Sequence, residues 1–511
     1  MAVIPARPPT PFVVPPAQAE TPFVIALDVG STATRGGLYD RQGRPVGNIK
    51  HKVPHSFTTD ADGTSIIDPD QVTFELAHVI DMITNLATYE GIKKIAAVGI
   101  DTFAASLVGV GVEGHAITPC YTYADTRCAP DVQNLRQEYA QEDIHKRTGT
   151  RLHASYLPAR LRWLQRTGPN TFSQVTRWLS LGEYAHEQLL GASATAQSTA
   201  SWTGLVNVRT GLWDPQMLNI AGIKEEQLGT IDPYSHAIEP LHAGQIKKRW
   251  KPLKNALWFP AITDGYAATI GTGIMDDTQL GLSTSTSGAM RVLLNQVPAD
   301  IPWACWAYRV NDRQCLLGGA LNDVGRAFTW METNLQLPLD PGERDQILCE
   351  TPSGKTPLSL PFFSGERSTL WNSQARAAFT GIGASSGAPA LFRGMAEGVA
   401  LTYARLSAII RTVSPQLTRV RAAGSVIQKY PGLVQLLSDA IKAPIVPVTI
   451  KRATAHGTAL SALEGIDPGG QRAEVTMGDL SEPDLENHAH YRKRLEEFEA
   501  LHESLLNNVT R

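Results

Sequence analysis

Short apolar runs closed by glycine or hydroxyl residues alternate along this chain with longer stretches whose apolar positions recur at helical spacing. Residues 23–27 (FVIAL) read as a strand, Gly30-Ser31-Thr32 as a tight turn, and Gly37-Leu38-Tyr39 as a returning strand, with Gly43 closing the next hairpin. Asp68 and Pro69 suit the cap and first position of an amphipathic helix reaching Ala87, with Val72, Phe74, Leu76, Val79, Ile80, Met82 and Ile83 mostly on one side. Residues 94–100 form a buried-strand pattern that ends in Asp101-Thr102-Phe103, and LVGVGVEGHAI continues as a hairpin. Helical patterns follow at 156–165 and 178–190.

The second half repeats these forms. An apolar run ending at residue 263 precedes Asp264, which stands where a helix cap belongs, ahead of the small-residue helix GYAATIG. LGLSTSTSGAMRVLL reads as strand, hydroxyl-rich turn and strand. Residues 389–413 form a long helix; 419–448 give strand, glycine turn, helix and strand; 453–463 form a tightly packed small-residue helix; 490–506 form a charged closing helix. Alternating strands and helices in both halves predict three-layer α/β domains. The segments ALDVGSTATRGGL and GLSTSTSGAMRVL overlay without a gap, as a duplicated fold predicts.

A chain of 511 residues exceeds what one hydrophobic core normally serves. The expected division is a flexible proline-rich leader (1–20), a first domain (21–253), a second domain (254–470) and a C-terminal helical tail (471–511). Charged residues at 19% and apolar residues at 42% are globular values, and a net charge of −3 gives no reason to expect nucleic acid or a membrane surface as partner. Five widely spaced cysteines without a Cys-x-x-Cys pair argue for reduced thiols and a cytoplasmic chain. No stretch approaches the ~20 apolar residues of a membrane span. Assembly leaves no signature; a homodimer is the default expectation.

Candidate chemistry sits at the strand ends. Asp28 is a carboxylate able to hold a metal, beside Gly30, Ser31 and Thr32, whose amides and hydroxyls suit phosphate oxygens. Thr102 and Phe103 end a strand near it. Asp125 and Arg127 precede a helix and suit a polyhydroxylated or anionic small molecule, a helix-entry salt bridge being the alternative. The turn at Ser285, Thr286, Ser287 and Gly288 offers a second set of donors, and Gly424-Ser425 opens a helix with free amides. Glu366 and Arg367 read as an internal ion pair. Two decoys fail: Gly109-x-Gly111-x-x-Gly114 has no helix after it, and Gly354-Lys355-Thr356 lacks the glycine a P-loop needs, with Cys349 in its place.

Taken in order, ALDVGSTATRGGLYD, CYTYADTR, TASWTGLVNVRTGLWD, ITDGYAATIG, STSGAMRV, GGALNDVG, SGERSTLWN, AAGSVIQKYPGLVQLLSDAI and ATAHGTAL resemble the FGGY carbohydrate kinase family over nearly all of residues 21–506, gluconokinases most of all. The resemblance implies two duplicated α/β domains of the actin/hexokinase/Hsp70-like ATPase type with an interdomain cleft. It implies ATP and Mg2+ as cofactors and a sugar or sugar acid as substrate, gluconate first, with xylulose, ribulose or glycerol as alternatives and a non-catalytic nucleotide sensor as the rival class. Carried over, Asp264 is the catalytic base and also touches substrate; Asp28 engages magnesium through water; Gly30, Ser31, Thr32, Thr286, Ser287 and Gly288 face phosphates; Gly319, Asn322, Gly424 and Ser425 line the nucleotide; Thr102, Phe103, Asp125 and Arg127 meet the substrate. Three positions depart from the family pattern: Arg35 replaces a lysine, Ala423 a glycine, and Ala104-Ala105 stand where relatives often carry a histidine pair.

Overall fold

The computed structural model describes residues 12–232 and 236–506, which fall into two units. The first runs to Gly273 and takes in Tyr308–Cys315 and Ile450–Thr476; the second comprises Ile274–Ala307, Leu316–Thr449 and the chain from Met477 onward. Asp264 therefore belongs to the first unit.

The sheet of the first unit is built on β1 (Val24–Val29), antiparallel to β2 (Ala33–Tyr39), which pairs in turn with β3 (Pro45–Pro54). On its other side β1 runs parallel to β4 (Ala97–Thr102), and β5 (Leu257–Trp258) and β6 (Ile262–Thr263) both pair in parallel with β4. Every residue of β1 and β4 is buried, because helices cover both faces. Ile25, Leu27 and Val29 share a core with Val72, Leu76, Val79 and Ile83 of the Pro69–Tyr89 helix. Val24 and Ala26 point the other way, onto Ala455, Ala459 and Ala462 of the Ala453–Ile466 helix. Side-chain alternation along one strand thus serves two cores at once.

The Pro69–Tyr89 helix starts as its residues demand, with the Asp68 carboxylate accepting from the amides of Asp70 and Gln71. Phe74, expected on its inner side, is 72% exposed. At 100° per residue it falls opposite Val72 and Leu76, so the periodicity of the other positions outweighs its hydrophobicity. The small-residue helices Asp264–Gly271 and Ala453–Ile466 touch backbone to backbone. A Cβ on Gly271 would stand 1.8 Å from the Ala453 carbonyl, and one on Gly457 would stand 1.8 Å from that of Ala267. His456 is core here, its Nδ1 2.8 Å from the Gly271 carbonyl oxygen, and burial pushes its pKa down to about 4.

The second unit repeats the plan. β7 (Gln279–Thr284) is antiparallel to β8 (Gly288–Leu294) and parallel to β11 (Arg419–Ala423), which is parallel to β12 (Ile445–Pro447); β9 (Trp306–Arg309) and β10 (Cys315–Leu321) complete the order β9-β10-β8-β7-β11-β12 among the described residues. Strand senses around β7 match those around β1. The ungapped overlay nevertheless fails at the turn. Residues 30–33 separate the last pair Val29↔Thr34, whereas only 285–287 separate Thr284↔Gly288, one residue fewer.

Three other expectations change. The leader is packed where it is described: Val14 is buried, donates to Pro45 and accepts from Gly47, so it lies against the edge strand β3; residues 1–11 lie outside the described residues. The helix expected over 178–190 is a strand, Arg177–Leu179, followed by a helix, Leu181–Leu190, because Ser180 and Glu183 form a reciprocal capping box between them. The closing helix begins earlier, at Leu485, and buries Tyr491, Phe498 and His502.

Candidate active site

Three carboxylates meet at one end of the first unit's sheet. Parallel register places Asp28 of β1 directly beside Asp101 of β4, and Asp101 beside Ile262 of β6, two residues before Asp264. Neighbouring strands lie about 4.8 Å apart, and paired residues point to the same face. On the far side of β1 the antiparallel register sets Arg35 opposite Asp28, with Nη1 3.8 Å from Oδ2. Arg452, at the start of the Ala453–Ile466 helix, adds a second positive charge felt by Asp28.

Burial dominates the electrostatics. It pushes Asp28 up to about 6; Arg35 opposes this, Asp264 adds to it and Arg452 opposes it. Asp101 is raised well above the carboxylate range by burial and by Asp28, although the Thr458 hydroxyl donates to its Oδ2. Its other oxygen, Oδ1, is buried without a hydrogen-bond partner. Asp264 opens its helix, is half-buried, and accepts at Oδ1 from the amide of Gly265, 2.7 Å away. Thr263, not Asp264, occupies the cap position, and its hydroxyl makes no capping bond. The Asp264 carboxylate is thus partly open to ligand and close enough to Asp28 and Asp101 to act on both.

The β1–β2 turn is pinned from below by a network with no signature in local sequence. His55 Nε2 lies 2.7 Å from the Gly30 carbonyl and Nδ1 2.7 Å from Glu75, and the Thr34 hydroxyl donates to the same Glu75 oxygen. Ser31 and Thr32 are exposed above it. Gly30 is not sterically required, since a Cβ there would meet its neighbours at 3.6 Å.

Thr102 lies at the end of β4, paired with Thr263 and 3% exposed. The ring of Phe103 is core, edge-on to Phe57 at 5.0 Å between centroids, so only its backbone faces the strand-end loop. That loop roofs a cavity of about 20 Å³, room for about one water, lined also by Glu183, Thr195, Thr199 and Thr263. Asp125 is buried and accepts from the Ser65 amide and from Arg127 Nε and Nη2 at 3.1 and 2.6 Å. The Arg127 guanidinium also lies 4.5 Å from the Trp163 ring centroid. The helix-entry salt bridge is therefore real and occupies two of the three guanidinium nitrogens.

In the second unit the two turns expected to meet nucleotide come together. Ser283 pairs with Ala423, the Thr284 hydroxyl donates to the Ala423 carbonyl, and the Ile427 amide donates back to that hydroxyl. Ser285, Thr286, Ser287 and Ser425 are exposed. Gly424 has φ 131°, and a Cβ on it would stand 2.3 Å from the Thr284 carbonyl oxygen, so no other residue fits. Gly288 is equally constrained, by the Tyr403 hydroxyl at 2.0 Å. Gly319 and Asn322 serve packing: a Cβ on Gly319 would meet Ser368 and Leu406, and the Asn322 amide donates to the carbonyls of Ser364 and Gly365. Glu366 pairs with His502 at 2.8 Å and Arg405 at 3.6 Å, whereas Arg367 lies over Trp371, so the expected Glu366–Arg367 pair is corrected.

Comparison with known proteins agrees with this layout. The model described as the FGGY family of carbohydrate kinases, N-terminal domain, matches residues 23–250, and its C-terminal counterpart matches 282–464. A gluconokinase of Bacillus subtilis is 23% identical over 438 residues, 83% of this chain and 84% of that protein. A solved gluconate kinase from Lactobacillus acidophilus is 25% identical with a TM-score of 0.88, covering 95% of this chain and 98% of its own. A ligand-bound xylulose kinase from the same organism gives the same identity and TM-score, covering 94% and 98%. The fold is the two-domain kinase architecture of the actin/hexokinase type.

Proposed function

The chain belongs to the FGGY family of carbohydrate kinases and is an ATP-dependent sugar kinase; from that premise we propose that it phosphorylates the terminal hydroxyl of a sugar acid, converting gluconate to 6-phosphogluconate. The observation that carries the reading is the Asp264 carboxylate, half-exposed at a helix start and grouped with Asp28 and Asp101 at the ends of parallel strands.

Asp264 accepts a hydrogen bond from the attacking hydroxyl and takes its proton as the new O–P bond forms and the bond from the γ-phosphorus to ADP breaks. The transition state is loose, so a weak base suffices and positioning supplies most of the rate. The turn at 285–288 and the amides at Gly424-Ser425 donate to the nucleotide's phosphates, and the β1–β2 turn donates to the transferring group. Arg35 keeps the Asp28 carboxylate oriented.

The residues fit a hard divalent cation. They offer oxygen donors only, Asp28 carries its charge in a buried site, and an orphaned Asp101 oxygen lies beside it. Among the described residues no three His, Cys, Asp or Glu side chains form a direct metal cage, so Asp28 would hold magnesium through water. When bound, magnesium neutralises charge on the phosphates. The setting is the cytoplasm, where ATP is the phosphoryl donor.

Gluconate is favoured by the relatives named for it and by Arg127, whose remaining nitrogen can meet a carboxylate. Xylulose is the second reading, because a relative of that name is as similar in fold. A coupled ADP-release screen over gluconate, xylulose and other polyols decides between them. Asp264→Asn should lower kcat by ~10²–10⁴-fold while ATP affinity stays within a few-fold; retained turnover would remove Asp264 from this role.

A further inference from the structure

The turn that follows β4 carries no side-chain hydrogen-bond donor at Ala104 or Ala105, yet it is held in an uncommon shape. Ala105 has φ 53°, the left-handed region that alanine avoids. What holds it is Arg160, on the helix Leu157–Thr167. Its Nη1 donates to the Ala105 carbonyl at 2.9 Å and its Nη2 to that of Ala154 at 3.0 Å. Arg160 is fully buried, its Nε has no partner, and among the described residues it makes no ion pair. The nearby Asp125 is committed to Arg127, so Asp125, Arg127 and Arg160 together retain one positive charge. A buried guanidinium used only to brace two carbonyls is a costly brace. The turn it braces lines the same cavity as Thr263, the neighbour of the proposed base.

We propose that Arg160 is a positioning and specificity residue for the substrate. It fixes the direction of the Ala105 peptide, so that backbone groups of the turn replace the missing histidine, and its uncompensated charge favours an anionic sugar over a neutral polyol of equal length. This rests on the reading of residues 102–105 as the substrate loop. Charge at a buried site falls off slowly with distance, so the bias reaches beyond the groups Arg160 touches.

The test is steady-state ADP release by the full chain with gluconate and with glucitol, its neutral counterpart. Arg160→Gln should raise the gluconate KM at least tenfold, leave the ATP KM within twofold, and shrink the gluconate-to-glucitol ratio of kcat/KM at least tenfold. Arg160→Lys should restore that ratio while KM stays raised, because charge returns without the two-pronged hold. Ala105→Gly should raise KM for both sugars equally and keep the ratio. A folded Arg160→Gln enzyme with unchanged KM and ratio overturns the proposal. If that variant does not fold, an Arg160→Lys enzyme with wild-type KM overturns it. A wild type that prefers glucitol refutes the sugar-acid reading and the charge role with it, while the KM shifts still decide positioning. A wild type inactive on every sugar sinks both.

Discussion

Replacing Asp28 by asparagine should stabilise the protein while destroying its activity. Burial raises the Asp28 pKa from 3.8 to about 6, and each pKa unit is worth 1.36 kcal/mol, so carrying the charge in the folded state costs ~3 kcal/mol at neutral pH. The direction follows from linkage. A carboxyl whose folded pKa lies above its unfolded one binds its proton more tightly when folded, so stability is greatest below about pH 4, falls as pH rises toward 6, and levels off above that. Asparagine has nearly the same shape and no charge. Arg35 loses its 3.8 Å partner, but a quarter of its side chain is exposed and can be hydrated. Chemical unfolding without nucleotide or metal should show the asparagine variant more stable by up to ~3 kcal/mol at pH 7.5 and by about half that at pH 5. Adding MgATP should narrow the gap, since only the wild type gains from a bound cation at that carboxylate. An asparagine variant that is no more stable at pH 7.5, or whose gain is the same at both pH values, would refute the account of Asp28 as a strained, functional charge.

Other substitutions probe the remaining supports. Gly424→Ala forces a Cβ to 2.3 Å from the Thr284 carbonyl; the ATP KM should rise at least tenfold with the sugar KM within twofold, read by the same kinetics. Gly457→Ala drives a methyl into the Ala267 carbonyl; the cost should be about 3 kcal/mol or more, visible as a lowered melting temperature. His502→Ala strips one partner from the buried Glu366 and should cost ~2 kcal/mol in urea unfolding, with His502→Gln recovering part of it.

The fold was legible where local pattern and tertiary role coincide. β1 and the Pro69–Tyr89 helix carry their own periodicity and cap, and Gly424 is demanded by a close approach that any glycine turn hints at. Asp101 was read as a strand end and not as a site residue, since only the register of β1 against β4 sets it beside Asp28. His55, Glu75 and His502 act across 20 to 136 residues of sequence, a distance at which pattern carries no information. The 178–190 segment misled because Ser180, a helix start signal, lies inside an otherwise continuous apolar run. Gly319 and Asn322 carry glycine and amide chemistry suited to a nucleotide, but their contacts are with Ser368, Leu406 and the 364–365 backbone.

The duplication explains why the two units divide the chemistry. Strand senses and register equate Asp28 with Ser283 and Asp101 with Ala423. The first copy therefore concentrates negative charge at its strand ends, and the second has none at the same two positions. A triphosphate carries several negative charges, and carboxylates in a low-dielectric site repel it strongly. A copy stripped of those carboxylates, with glycine and hydroxyl residues leaving backbone amides accessible, is the one able to hold phosphate without a metal's help. The copy that keeps them needs a cation or a proton to be occupied comfortably, and it has paired arginine against only part of its charge. One ancestral strand–turn–strand thus yields an acidic site for proton and cation and a neutral site for anion. The one-residue difference between their turns lies within the two segments that had to diverge.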